Sequence, residues 1–105
     1  MTLAATIAWE VPADHGAFPG HFPGQPILPG VVLLDRAILL ASGALRCSAA
    51  GCRVASAKFL SPVRPGESLV FILAGQATGG VRCDVRVGGR AVAAFQLAFP
   101  GVSAA

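Results

Sequence analysis

Charged residues are scarce in this chain of 105 residues, where they make up 12% of the sequence while 54% is hydrophobic. The eight basic residues fall mostly in the C-terminal half and are dispersed, which argues against the clustered basic footprint of a nucleic-acid-binding protein. The net charge of +3 would instead suit an acidic protein partner, because opposite charges steer association.

The sequence also lacks a long hydrophobic run. Its longest apolar stretch, residues 31–45, is interrupted by Asp35 and Arg36, and a transmembrane helix needs about 20 consecutive apolar residues. The N-terminus has neither a basic region nor a cleavage-site pattern, so we expect no signal peptide. These features predict a cytoplasmic protein without a membrane partner.

Cysteine is also infrequent. Cys47, Cys52 and Cys83 are an odd number, and their spacing is not that of a metal site. Reduced thiols are the simplest interpretation, with a Cys47–Cys52 bridge as the alternative. The spacing therefore predicts no metal ion, and we separately expect no bound cofactor.

The length allows one domain, spanning residues 1–105, and not two. Because so short a chain has a high ratio of surface to volume, it cannot bury all of its apolar residues alone. Exposed apolar surface usually marks an interface, so the composition predicts a dimer or a larger assembly.

Hydrophobic patterning predicts an α+β domain with one helix and about five antiparallel strands. Residues 31–45 are apolar on nearly every face of a helix, which is typical of a buried helix. The predicted strands cover residues 2–11, 53–60, 68–76, 80–87 and 90–99, with a hairpin at Gly88-Gly89. This composition implies a sheet wrapped around the helix.

Residues 14–30 differ in composition from the rest of the chain, with four prolines and four glycines. Proline lacks a backbone N–H and fixes φ, so neither a helix nor a central strand can run through this segment. Apolar residues are interleaved with them and favour burial. We predict a stiff, packed loop that holds its side chains in fixed positions.

Three residues in or after this loop could perform chemistry. His21 has apolar or small neighbours, which favour the neutral imidazole that can act as a base; the alternative is a core histidine bonded to a carbonyl. Gly30 stands at the start of the helix, where free N–H groups could hold a thioester carbonyl; the alternative is a tight turn.

Asp35 is the third candidate, one turn into the apolar helix. A carboxylate among apolar groups is costly unless it is paired or protonated, so Asp35 could serve as a general acid. The alternatives are an interaction with the helix dipole and an ion pair with Arg36, which lies about 100° away around the helix. A base, an N–H donor and an acid are the groups that a β-elimination needs.

The run GHFPGQPILPGV at residues 20–31, followed by Asp35, resembles the 3-hydroxyacyl-acyl-carrier-protein dehydratases of fatty acid synthesis. Their pattern is a His-Phe loop, a Pro-Gly helix start and an acid fourteen positions after the His. The run KFLSPVRPGE at residues 58–67 is similar to the family's Phe-x-x-Pro-Val-x-Pro-Gly-acid turn. The resemblance covers most of the chain.

The resemblance implies a hotdog fold and a dimer in which the His of one protomer faces the acid of the other. His21 would be the base, Asp35 the acid, directly or through water, and the Gly30 N–H the carbonyl donor. The substrate would arrive on the 4′-phosphopantetheine of an acyl carrier protein. It would enter through a tunnel lined by apolar side chains, with Phe22, Ile27, Gly30 and Val31 as substrate-binding residues, and the Ile27 carbonyl would orient the His21 ring.

The chain departs from that pattern at two positions. Leu39 stands where the family often has Gln, and Arg36 stands where it often has Ala. The short length is similar to that of small dehydratases of polyketide-like and aryl polyene pathways, some of which pair with a related hotdog subunit. Asp35 stands where other members have Glu, and in this the chain resembles a branch of the family in which some members also isomerise the double bond.

Three alternatives to a dehydratase stay open at this point. A hotdog acyl-thioesterase would release the thiol, and a weak or inactive hotdog subunit would support another dehydratase. A CoA-linked hydratase would run the same chemistry backwards, but its usual Asp-x-Asn-Pro-x-His signature is absent.

Overall fold

The computed structural model describes residues 3–12, 27–77 and 79–100. The elements run in the order β1 (Ala4–Glu10), α1 (Gly30–Leu45), β2 (Arg53–Phe59), β3 (Ser68–Gly75), β4 (Gly80–Val87) and β5 (Arg90–Ala98). Each predicted element is confirmed, and its ends differ from the prediction by at most two residues. His21 and Phe22 lie outside the described residues, as does most of the predicted loop.

The five strands form one antiparallel sheet in the order β1-β3-β4-β5-β2. Alternate residues of the central strands are buried, because successive side chains of a strand point to opposite faces. The register places Phe71 of β3 opposite Val85 of β4, and Cys83 of β4 opposite Phe95 of β5. These four side chains are at most 1% exposed and belong to the hydrophobic core.

Helix α1 packs one face against that side of the sheet. Leu33, Ala37 and Ala41 repeat at every fourth residue, which places them on one side of a helix, and all three are buried in the core. The opposite side is open: Val31 is 69% exposed and Leu39 is 51% exposed. The sequence predicts that α1 is buried on all sides, but in the single chain only the face toward the sheet is buried.

Strand β2 is also open. It is an edge of the sheet, and among the described residues it pairs only with β5. All seven of its residues are exposed, and the apolar Phe59 and Leu60 at its end are 53% and 58% exposed. The exposed apolar surface that the composition predicts is thus found at β2 and on the outer side of α1.

No helix among the described residues has the length and the apolar character that crossing a membrane requires.

The three cysteines are free thiols, so the alternative of a Cys47–Cys52 bridge is wrong. Cys83 is buried in the core. Its burial, and secondarily the nearby Asp84 carboxylate, raise the pKa of the Cys83 thiol to about 12. Cys47 and Cys52 are only partly buried, and burial is the main cause that raises the pKa of Cys52.

We therefore expect an alkylating reagent to modify Cys47 and Cys52 in the folded protein and to reach Cys83 only after denaturation. The Cys83 thiol keeps its proton up to about pH 12 when folded, whereas its ordinary pKa is 9.0. The free energy of unfolding should consequently fall as the pH rises from 9 toward 12, because the unfolded chain then binds fewer protons. Mass spectrometry of alkylated peptides tests the first point, and rapid native labelling of Cys83 would contradict it.

Candidate active site

The start of α1 carries the backbone donor that the sequence singles out. Gly30 is the first residue of the helix and follows Pro29, which has φ −58° and ψ 140°. Among the described residues no side chain caps this end, and no acceptor for the Gly30 N–H is present. The first N–H groups of a helix have no partner within the helix, so the Gly30 N–H can donate to a ligand oxygen.

The ring of Phe59 lies directly against Gly30. A Cβ atom on Gly30 would stand 2.7 Å from Cε1 and 2.9 Å from Cδ1 of Phe59, so only glycine permits this approach. Phe59 in turn contacts the buried ring of Phe95 edge-on, with 5.6 Å between centroids and an angle of 67°. The end of β2 and the start of α1 thus meet face to face.

An open cavity of about 590 Å³ lies beside this contact and is lined by both segments. One wall is formed by residues 27–31 and Leu33, and the other by residues 59–63. Ser61 has the only polar side chain among these lining residues, so the cavity suits an apolar chain with a small number of polar contacts. Ile27, Gly30 and Val31, three of the residues predicted to bind substrate, lie together here.

A second groove runs along the outer side of α1 and is lined by Val31, Val32, Asp35, Arg36 and Leu39, with a volume of about 460 Å³. Val31 lines both this groove and the cavity. Asp35 stands four residues after Val31, so the two side chains share one side of the helix. Gly30, whose N–H could bind the substrate carbonyl, therefore lines the cavity, and Asp35 lines the adjacent groove.

The turn after β2 holds the start of α1 in place. The Leu28 N–H donates to the Val63 carbonyl oxygen at 2.8 Å, and the Leu60 and Ser61 N–H groups both donate to the Val92 carbonyl oxygen, at 2.8 and 3.2 Å. The two walls of the cavity are thus joined by backbone hydrogen bonds to each other and to β5. Nothing in the local sequence pattern indicates these partners.

A family model described as ApeI-like, ApeI dehydratase, matches residues 2–94 of this chain. The chain belongs to the ApeI-like family. This agrees with the dehydratase family that the motifs at residues 20–35 and 58–67 indicate.

Two curated relatives of this ApeI-like chain are 3-hydroxyacyl-[acyl-carrier-protein] dehydratases FabZ. The protein from Allorhizobium ampelinum is 35% identical over 96 residues, covering 80% of this chain and 62% of the relative. The protein from Chlamydia trachomatis is 35% identical over 96 residues, covering 78% and 62%. The chain spans about three fifths of the length of these relatives.

Among solved structures, the dehydratase heterocomplex ApeI:P from Xenorhabdus doucetiae matches with a TM-score of 0.78 and 24% identity, covering 93% of this chain and 88% of that one. An uncharacterized protein from Erwinia carotovora matches with a TM-score of 0.67 and 27% identity, covering 90% and 81%. The hotdog fold that the sequence predicts is confirmed.

Asp35 of the ApeI-like chain differs from the expectation in its surroundings. Its side chain is exposed in the single chain, and no hydrogen bond or ion pair to it is found in the described part. The Arg36 guanidinium instead lies 4.0 Å from the centroid of the Trp9 ring, so the alternative of an Asp35–Arg36 pair is wrong. The dipole alternative also fails, since the first turn of α1 contains no acidic residue and the effect is confined to that turn.

Leu39 completes this exposed side of α1. It stands one turn beyond Asp35, where the family often has Gln, and its apolar side chain cannot donate a hydrogen bond to the carboxylate. The predicted burial of Asp35 among apolar groups is therefore not found in the single chain. Any enclosure of Asp35 has to come from the residues outside the described part or from a second chain.

Proposed function

We propose that this ApeI-like chain removes water from 3-hydroxyacyl thioesters carried on the 4′-phosphopantetheine of an acyl carrier protein, giving the trans-2-enoyl thioester. The observation that carries the proposal is the apolar cavity lined by Gly30 at the start of α1, with the Asp35 carboxylate on the adjoining turn of the same helix. An acyl chain fits the cavity, and the thioester carbonyl would then lie at the helix start.

In the proposed reaction, the thioester carbonyl oxygen accepts a hydrogen bond from the Gly30 N–H, which stabilises the negative charge that develops there. His21 takes the proton from Cα, and the electron pair of that C–H bond forms the new double bond. The C–O bond at Cβ breaks as Asp35, in its protonated form, gives its proton to the hydroxyl, which leaves as water. Phe22 is assigned to the substrate tunnel together with Ile27 and Val31.

We propose further that a second hotdog subunit completes this site. The edge of β2, the side chains of Phe59 and Leu60 at its end and the outer side of α1 are exposed in the single chain, and an unpaired edge strand is a template for another strand. The second subunit would be a copy of this chain or a related one, and the partner subunit's His21 position would face Asp35. Light scattering should then give the mass of a pair.

The remaining assignments are the carrier protein as partner and the cytoplasm as location. The net charge of +3 complements an acidic carrier protein, so association should slow as the salt concentration rises. We place the protein in the cytoplasm.

The proposal is tested by mixing purified protein with carrier-bound 3-hydroxyacyl substrates of several chain lengths. We expect absorbance in the enoyl thioester band to rise, and the product to have lost one water by mass spectrometry. The His21→Ala variant is the control and should abolish the signal. No enoyl product from any substrate would contradict the proposal, and thiol release from an acyl thioester without a 3-hydroxyl would identify a thioesterase instead.

Leu39 favours a second candidate, a hotdog subunit with little activity of its own that supports another dehydratase. It leaves the Asp35 carboxylate without the amide that the family often supplies. Such a subunit would still be needed for product formation by the pair, but its own His21 would not. Unchanged output of the reconstituted pair after His21→Ala would favour this candidate over the first.

A further inference from the structure

Arg90, the first residue of β5, reaches into the turn between β2 and β3. Its Nη2 atom lies 2.8 Å from Oε2 and 3.0 Å from Oε1 of Glu67, and 3.3 Å from the carbonyl oxygen of Pro62. Pro62 lines the cavity. The guanidinium therefore binds a carboxylate and the backbone of the cavity wall at the same time.

Glu67 closes the turn from the other side. Its Oε1 atom accepts the Arg64 backbone N–H at 2.7 Å, and Gly66 has φ +80°, a conformation that favours glycine. The Glu67 side chain is 21% exposed. One partly buried carboxylate thus joins the backbone of the turn to β5.

This turn also holds the segment that leads into the site. The Val63 carbonyl accepts the Leu28 N–H at 2.8 Å, two residues before Gly30. On the other side of the turn, the Val11 N–H donates to the Glu67 carbonyl at 2.9 Å and the Val11 carbonyl accepts the Gly66 N–H at 3.0 Å. A shift of the turn would therefore strain the Val63–Leu28 hydrogen bond and change the position of the cavity wall relative to the start of α1.

The orientation of the Arg90 guanidinium is set by the acceptors of the turn. Nη2 serves three of them, while Nε is buried with no hydrogen-bond partner in the described part of the chain. A buried N–H without a partner costs free energy, and such a group in a folded protein calls for an explanation. The orientation that lets Nη2 bind Glu67 and Pro62 leaves Nε without a hydrogen bond.

We propose that Arg90 and Glu67 are positioning residues that place the Gly30 N–H and the cavity wall formed by Ser61, Pro62 and Val63 relative to each other. The pair acts through the Pro62 carbonyl and through the Val63–Leu28 hydrogen bond, and it touches no reacting atom. This inference rests on the proposed function, because its effect on turnover requires the Gly30 N–H to hold the substrate carbonyl.

The test compares Arg90→Met with Arg90→Lys. Methionine removes the charge and every donor at similar length, whereas the lysine ammonium can still reach Glu67. We expect Arg90→Met to lower kcat by about ten- to hundredfold with a smaller effect on KM, since small displacements of a catalytic donor have effects of this size. Arg90→Lys should recover most of kcat.

Two control variants separate positioning from a general loss of stability. Arg82→Met breaks a similar pair on the exposed face of β4, where Arg82 Nε lies 2.9 Å from Asp84 Oδ2. Val81→Ala creates a core defect at a fully buried residue that lines neither cavity nor groove. Both should keep kcat within about twofold of wild type at a temperature where every variant is folded.

Hydrogen exchange at the Leu28 amide gives a second readout that does not need activity. Exchange there should be faster in Arg90→Met than in wild type and unchanged in Arg82→Met. If wild type does not dehydrate its substrates, the proposed function fails while Leu28 exchange still tests the positioning. The inference is overturned if Leu28 exchange is unchanged in Arg90→Met, or if its kcat falls no further than that of Val81→Ala.

Discussion

Chains that carry His21→Ala, mixed with chains that carry Asp35→Asn, should regain the dehydration that neither variant performs alone. Each substitution removes one proton-transfer group, which is expected to lower kcat by about 10²- to 10⁴-fold. In a pair whose sites combine His21 of one chain with Asp35 of the other, the mixed pair has one intact site. Random pairing of equal amounts should therefore restore about a quarter of wild-type activity.

The doubly substituted chain is the control, since mixing it with either single variant creates no intact site. Formation of mixed pairs is checked by mass spectrometry under native conditions. If mixed pairs form and remain as inactive as the single variants, His21 and Asp35 do not meet across chains. If the partner is a related subunit, the same experiment is made with one substitution on each of the two different chains.

Gly30→Ala should be the most damaging small substitution in the described part of the site. Its Cβ would lie 2.7 Å from the Phe59 ring, so the ring or the helix start has to move. Forcing an extra carbon into a packed contact costs about 1–3 kcal/mol of unfolding free energy. Displacing the N–H donor should lower kcat by about 10²- to 10³-fold. Thermal unfolding and enoyl formation measure the two effects.

Gly43→Ala is a matched control on the same helix, because a Cβ there meets nothing within 4 Å. It should stabilise the helix by about 0.5–1 kcal/mol and leave kcat unchanged. Adding Phe59→Leu to Gly30→Ala removes the ring that causes the clash and should recover stability. A Gly30→Ala protein as stable and as active as wild type would contradict this prediction and show that the Phe59 ring moves aside at little cost.

The strands and the helix of this chain are predictable because each carries a local signal. In β4 the alternating burial follows directly from the alternation of apolar and polar residues. Strands β3 and β5 are recognisable as nearly continuous apolar runs, and the glycines at positions 88 and 89 mark the hairpin between β4 and β5. The stretch of helix is equally clear, since it begins after Pro29 and is apolar for most of its length. These signals depend on neighbours within a few residues.

The details of the candidate site depend on residues that are far apart in the sequence. Phe59 meets Gly30, and Arg90 binds Glu67 across 23 positions, because the order of the strands brings them together. No periodicity within one segment encodes such a contact. The family motif locates Gly30, but it does not reveal that an aromatic ring requires glycine there.

The burial of Asp35 could not be predicted from the sequence for a different reason. Its apolar neighbours along the helix predict burial, yet the side chain is exposed in the single chain. A single chain supplies only the sheet side of the surroundings that the hydropathy of α1 predicts, and in the proposed pair the second subunit would supply the other side. For the single chain, the apolar pattern around Asp35 therefore predicts a burial that the structure does not have.

The open β2 edge also bears on how the protein can be produced. A newly synthesised chain presents seven exposed residues along an edge strand, next to exposed aromatic and aliphatic side chains. Such an edge accepts strands from any neighbouring chain, and aggregation competes with correct association. The yield of soluble protein should therefore depend on how soon the correct partner is encountered. Where the partner is a related subunit, synthesising the two chains in the same cell should give more soluble protein than purifying each one and combining them later.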